Sequence, residues 1–124
     1  MSHHENFIGV SKEKLDTPCL VIDRDILEQN IRTMQAHARS YGKQIRPHAK
    51  THKCSKIAKM QTEAGCTGIC VAKVGEAEGL VKKGLRGVLI TSPVVTDYKI
   101  DRLMWCLSLD KELIVVVDNL ENAK

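Results

Sequence analysis

The chain has 124 residues, 43% hydrophobic and 27% charged, with a formal net charge of +4. That balance excludes a disordered chain, and no apolar run approaches the roughly 20 residues of a membrane span. Aromatic residues make up only 3%, too few to build the stacking platforms that bind single-stranded nucleic acid, so neither a nucleic-acid nor a membrane partner is expected.

Residues 1–10 show no basic segment followed by an apolar core, and the expected location is the cytoplasm. The five cysteines, Cys19, Cys54, Cys66, Cys70 and Cys106, are odd in number and lack framework spacing. They are expected to stay reduced there, with Cys19 and Cys70 in apolar strand sequence.

Residues 1–15 are polar and irregular. Residues 18–22, Pro-Cys-Leu-Val-Ile, read as a short apolar strand, and the boundary falls after it: an N-terminal segment at 1–22 and the main domain at 23–124. Asp23 or Asp25 can cap the helix that follows, and Asp25 with Glu28 has capping-box spacing. Ile26, Leu27, Ile31, Met34 and Ala38 form its apolar stripe, which ends near Gly42. An extended segment comes next, at 44–52. Ser55 starts a second helix with Ile57, Met60, Gln61 and Ala64 inward, ended by Gly65.

A repeat then appears. Gly65-Cys66-Thr67-Gly68 precedes Ile69-Cys70-Val71-Ala72, and Gly84-Leu85-Arg86-Gly87 precedes Val88-Leu89-Ile90-Thr91. Each places Gly-x-x-Gly between a helix end and a continuous apolar strand, and the first glycine suits a left-handed helix C-cap. Between the copies, residues 75–83 read as a helix with Ala77, Leu80 and Val81 inward. After Pro93 a stripe of Ile100, Leu103, Met104 and Leu107 predicts another helix. Residues 113–118 read as a buried strand, and 119–124 as the first turn of a further helix.

Continuous apolar strands alternating with helices predict an α/β fold with parallel strands and right-handed crossovers. The expected architecture is a partial (β/α)8 TIM-type barrel: about the first four βα units, starting near residues 44, 68, 87 and 113, plus the N-terminal strand and helix. A doubly wound sheet is the rival, but no Gly-x-Gly-x-x-Gly follows any strand. A full barrel takes about 250 residues, so these residues are expected to belong to a longer protein.

The functional candidate is Arg46-Pro47-His48-Ala49-Lys50-Thr51-His52-Lys53-Cys54. In extended backbone Arg46, His48, Lys50 and His52 share one face. That face is either solvated or lines a site. A free lysine titrates near ~10.4; the cations Arg46, His48 and Lys53 would favour the neutral amine, the form that condenses with an aldehyde. Lys50, Lys73, Thr91, Ser92 and Asp118 all fall at strand C-terminal ends, where a barrel places its site. Lys73 reads equally as a site residue or an exposed strand end. Lys53, Lys56 and Lys59 recur at a spacing of three and read as a solvated helix face, with a phosphate or nucleic-acid patch as the alternative.

The run Arg46-Pro47-His48-Ala49-Lys50-Thr51-His52-Lys53 resembles the lysine motif of the D-threonine aldolase and D-serine dehydratase family, pyridoxal-phosphate enzymes of fold type III with an alanine racemase-like barrel. Asp16-Thr17-Pro18-Cys19-Leu20-Val21-Ile22-Asp23 with Leu27-Glu28-Gln29-Asn30-Ile31 is similar to the family's opening strand and helix. Val71-Ala72-Lys73-Val74-Gly75-Glu76-Ala77-Glu78 is similar to its next strand end and helix start. The resemblance implies that Lys50 is the Schiff-base lysine, that the substrates are β-hydroxy D-amino acids, and that the full-length protein is a homodimer. It also implies a divalent metal that polarises the hydroxyl, although no position here matches the family's metal ligands. It places the 18–22 strand outside the barrel. His48 and His52 are candidates for tuning Lys50 or meeting the cofactor, with a structural hydrogen-bonded role as the equal alternative. Arg46 is expected to pair with a barrel carboxylate, and Glu76 and Glu78 to start a helix.

The leading expectation is D-threonine aldolase-like retro-aldol cleavage. D-serine dehydratase-type elimination, an amino-acid racemase, a non-catalytic pyridoxal-phosphate-binding protein and an inert remnant of an enzyme stay open. A metal module of His52, Cys54, Cys66 and Cys70 is a further alternative, though its spacing matches no standard zinc pattern.

Overall fold

A computed structural model describes residues 7–124; the polar opening at 1–6 lies outside them. Three short strands, β1 (Ile69–Val71), β2 (Val88–Ile90) and β3 (Ile114–Val115), form a parallel sheet in chain order. Their register sets Cys70 beside Leu89 and Leu89 beside Ile114. A parallel bridge between His48 and Cys70 adds the lysine segment on the other side of β1. Four successive passes of the chain therefore lie side by side without reversal. The common doubly wound orders reverse after at most three strands; a barrel wall does not.

The pleat sorts the side chains. Ile69, Val71, Val88 and Ile90 are fully buried. They pack with Ala58 of α2 (Ser55–Glu63), Ala77, Leu80 and Val81 of α3 (Val74–Val81) and Cys106 of α4 (Asp97–Leu109). The intervening Cys70 and Leu89 are half-buried and Ile114 is exposed, so the helices cover one face of the sheet. Among the described residues no helix is long and apolar enough to cross a membrane.

The first helix, α1 (Arg24–Ser40), resolves its two candidate caps: the Asp23 carboxylate accepts from Ile26 N at 3.0 Å. Glu28 pairs instead with Arg24 at 2.8 Å and Arg32 at 3.6 Å. The expected apolar stripe is only partly covered. Ala38 is buried, but Ile26 and Met34 are exposed, because the neighbour of α1 is α2. Gln35 is the second buried residue of α1; its Nε2 donates to Gly65 O at 2.9 Å and ties α1 to the end of α2.

Two expectations about strands are corrected. Residues 18–22 form no strand, and Leu20 is fully exposed: no described strand runs beside them, so their backbone has no ladder to join. The strand predicted over 113–118 shrinks to β3, an edge strand with Val117 half exposed just beyond it. The stripe on α4 is rotated. Cys106 is fully buried and Leu103 packs on the core, while Ile100 and Met104 face water. On the face turned toward α3, Arg102 reaches Glu78 at 2.5 Å and 2.7 Å. Burial pushes the Cys106 thiol pKa up to about 11. The last expectation holds: α5 (Leu120–Ala123) begins after 119, with Asn119 accepting from Asn122 N at 2.8 Å.

Both first glycines of the repeat take left-handed backbone as expected, Gly65 at φ +110° and Gly84 at φ +82°. The second pair does something else. Gly68 (φ +147°) and Gly87 (φ +66°) bring two strand-entry loops together so closely that a Cβ on Gly68 would lie 2.0 Å from Gly87 O.

Asp110 was not singled out in the sequence, yet it is fully buried. Its Oδ2 accepts from Val88 N at 3.0 Å, and Oδ1 from Gly87 N at 3.2 Å and Glu112 N at 3.1 Å. Three backbone donors, two at the start of β2 and one ahead of β3, depend on one carboxylate. An unpaired buried donor costs about 1–3 kcal/mol. Asp110→Ala is therefore expected to lower stability by roughly 3 kcal/mol or more, and Asp110→Asn, which keeps one acceptor, by about half that. Urea midpoints of the two variants check this.

Candidate active site around Lys50

The lysine segment enters as extended chain. Ile45 O accepts from Thr67 N at 2.9 Å and Pro47 O from Cys70 N at 2.7 Å. Pro47 has no N–H, so the segment contributes carbonyls to β1 at that point. The extended run then stops at His48. Ala49–Thr51 form one 3-10 turn, which corrects the expectation that Arg46, His48, Lys50 and His52 share a strand face.

The turn has a local cause. His48 Nδ1 accepts from Lys50 N at 3.2 Å. Ala49 O accepts from His52 N at 3.2 Å and Lys53 N at 2.7 Å. His52 Nδ1 accepts from Cys54 N at 3.0 Å. Each histidine thus caps the amide two residues on, as an Asx turn does. The paired spacing His-x-Lys and His-x-Cys was the signal available in the sequence. Lys50 is exposed, at the C-terminal end of its pass along the wall. Among the described residues no carboxylate pairs with its amine.

The neighbours divide into those that touch this turn and those that do not. His48 Nε2 lies 3.3 Å from Thr91 Oγ1, just after β2. His52 is half-buried, and burial holds its ring below the ordinary histidine range although the Gln61 amide works the other way. Its Nε2 and Gln61 Oε1 are neighbours outside good hydrogen-bond geometry, so both are buried without a partner among the described residues. Among the described residues Arg46 meets no carboxylate. Its Nη1 donates to Gly87 O, because the guanidinium occupies the space that two glycines leave: a Cβ on Gly68 would lie 2.9 Å from it. Cys70 Sγ donates to Arg46 O at 3.4 Å.

Lys53 leaves the expected lysine face. It precedes α2 in left-handed backbone, φ +47°, and its Nζ lies 3.4 Å from Glu76 Oε1. Glu76 Oε2 accepts from Ala72 N at 2.8 Å. Partial burial works against charge on Glu76, but the Ala72 N–H and Lys53 outweigh it and hold the carboxyl below the usual range. Beyond starting a helix, Glu76 thus joins the end of β1 to the entry of α2, across a cavity of about 280 Å³ that Ala49 also lines. Glu76→Ala is expected to lose about 1–3 kcal/mol, since Ala72 N–H is left unpaired. Glu76→Gln keeps an acceptor and loses only an exposed-lysine pair, under about 1 kcal/mol. The gap between their urea midpoints measures the backbone bond.

Lys73 is exposed and lines a crevice of about 470 Å³ with Ala72, Ser92, Lys99 and Arg102, at the ends of β1 and β2. Asp118 is exposed and accepts from Asn119 Nδ2. The four-residue metal module is not assembled: among the described residues no three His, Cys, Asp or Glu side chains converge. Cys66 Sγ instead approaches Gln35 Oε1 at 3.5 Å, and all five cysteines are free.

A parallel wall in chain order, helices on one face and a lysine turn at its C-terminal end define an α/β, barrel-type domain. The sequence pattern of the alanine racemase N-terminal domain matches residues 22–124, and the chain belongs to that family. It is 38% identical over 115 residues to 3-hydroxy-D-aspartate aldolase of Paracoccus denitrificans, covering 92% of this chain and 30% of that protein. It is 41% identical over 109 residues to D-threonine aldolase of an Arthrobacter species, covering 88% and 28%. Among solved structures, D-threonine aldolase from Filomicrobium marinum superposes with a TM-score of 0.82 at 40% identity, over 86% of this chain and 29% of that one. D-threo-3-hydroxyaspartate dehydratase from Delftia sp. HT23 follows at 0.78 and 32% identity, over 89% and 29%. The chain spans less than a third of the length of these relatives.

Proposed function

We propose that this chain is the lysine-bearing part of a pyridoxal-phosphate-dependent lyase that cleaves β-hydroxy D-amino acids in the manner of a D-threonine aldolase. The observation that carries the reading is the Lys50 turn: an exposed amine, unpaired with any described carboxylate, on an ordered turn at the C-terminal end of the wall. That donor fits the cofactor's aldehyde, and Lys50 would hold it covalently. Pyridoxal phosphate, when bound, supplies the electron sink for the bond broken at the substrate's α-carbon. The chain's own contribution is placement and proton handling. With a substrate amine in its place on the cofactor, the Lys50 amine would be free to serve as a base toward that carbon. His48 and His52 each cap the backbone through Nδ1, His48 to Lys50 N and His52 to Cys54 N, while His48 Nε2 faces Thr91 and His52 Nε2 is buried, so both serve by fixing the turn that carries the amine.

In this reading residues 1–22 precede the barrel portion at 23–124, which begins four βα units, and the full-length protein is a cytoplasmic homodimer. The divalent metal would be held by groups other than those described. A dehydratase is the second reading, favoured by the similarity to dehydratases of this family, including D-serine dehydratase of Dictyostelium discoideum, 32% identical over 115 residues. Borohydride reduction of the loaded protein followed by peptide mapping tests the first point: the label is expected on Lys50, and a label on another residue ends the proposal. Products decide between the readings. D-threonine should yield glycine and an aldehyde; ammonia and a keto acid would establish the dehydratase, and equal response to L-isomers would oppose both.

A further inference from the structure

We infer that Thr91 is a positioning residue for the Lys50 turn, because its hydroxyl dictates which ring nitrogen of His48 carries the proton. The inference rests on the proposed role of Lys50 for its functional meaning, but its geometry is independent of the cofactor. Thr91 N donates to Val71 O at 2.9 Å, and Thr91 Oγ1 donates to the same carbonyl at 3.0 Å. A carbonyl oxygen has two lone pairs and a hydroxyl has one hydrogen. With that hydrogen directed to Val71, Thr91 Oγ1 can only accept from His48 Nε2, 3.3 Å away. His48 must then carry its proton on Nε2. In the neutral ring this leaves Nδ1 bare, the state it needs to accept Lys50 N–H at 3.2 Å.

Every proton in the chain of contacts is thereby assigned. Val71 O accepts from Thr91, Thr91 accepts from His48, and His48 accepts from Lys50. The series links the end of β1, the end of β2 and the turn between the lysine segment and α2. With the hydroxyl replaced, Nε2–H loses its acceptor. The ring can then carry its proton on Nδ1, and two donors would face each other at the Lys50 amide. Thr91 is exposed, so substitution there leaves the core intact.

The test uses the full-length protein labelled with ¹⁵N-histidine, with Thr91→Val and Thr91→Ser compared. The His48 ring signals are assigned by their loss in His48→Gln. Wild type and Thr91→Ser are expected to show the Nε2–H form; Thr91→Val is expected to gain the Nδ1–H form. The rate of borohydride-trapped labelling at Lys50 should fall about fivefold in Thr91→Val, the scale of one lost hydrogen bond, and recover in Thr91→Ser. A wild-type ring protonated on Nδ1, unchanged ring signals in Thr91→Val, or failure of serine to restore them overturns the inference. Absence of label on Lys50 in wild type overturns the functional proposal instead, and the ring spectra still decide the role of Thr91.

Discussion

Lys50→Ala is expected to remove covalent attachment of pyridoxal phosphate and to lower turnover by at least about 10³-fold, whereas Lys53→Ala should stay within about tenfold of wild type. The lower bound follows from the 10²–10⁴-fold that a positioned acid or base contributes, to which loss of the covalent anchor adds. The two lysines lie three residues apart in a strongly cationic run, and composition does not separate them. Their surroundings do. The Lys53 amine sits 3.4 Å from Glu76, while no described carboxylate pairs with the Lys50 amine. Absorbance of the loaded protein and steady-state rates measure both variants. Retained colour in Lys50→Ala with loss in Lys53→Ala would move the assignment to the other lysine.

Gly68→Ala should have the largest structural effect, roughly 4 kcal/mol or more, near the limit seen for single substitutions. Two costs combine. The backbone at φ +147° is a region essentially restricted to glycine, and the new Cβ would meet Gly87 O at 2.0 Å and Arg46 Nη1 at 2.9 Å. Gly87 O cannot withdraw freely, because Gly87 N is held by the buried Asp110. The control is Gly79→Ala in α3, where a Cβ meets nothing within 4 Å. It is expected to raise stability by about 0.5–1 kcal/mol, the usual advantage of alanine over glycine in a helix. Soluble yield and urea midpoints of the pair give the comparison; a Gly68→Ala protein as stable as wild type would contradict the packing described.

The helices and strands were legible wherever local chemistry decides. Asp23 caps α1, Gly65 and Gly84 end α2 and α3 in left-handed backbone, and the apolar runs at 69–71 and 88–90 became the sheet. Lys50 was legible as a motif. Period alone misplaced its neighbours, because a period-two face assumes extended chain and two histidine rings divert the backbone into a turn. Contacts distant in sequence left no trace. His48 and Thr91 are 43 residues apart. Asp110 was passed over, since nothing local shows that three amides point at it. The apolar run at 18–22 has strand composition but, among the described residues, no strand to pair with. On α4, the Arg102–Glu78 contact to α3, 24 residues away in sequence, was likewise invisible to the period.

The double acceptor at Ala49 O has a consequence for how the amine is delivered. Fixing the backbone of a residue costs about 1–2 kcal/mol, and a reactive side chain on a loose loop would meet that cost at each encounter. Here the residues on both sides of Lys50 are immobilised when the polypeptide folds. On the proposed role of Lys50, its amine is preorganised, and only its own four methylenes are left to be ordered when a bond forms.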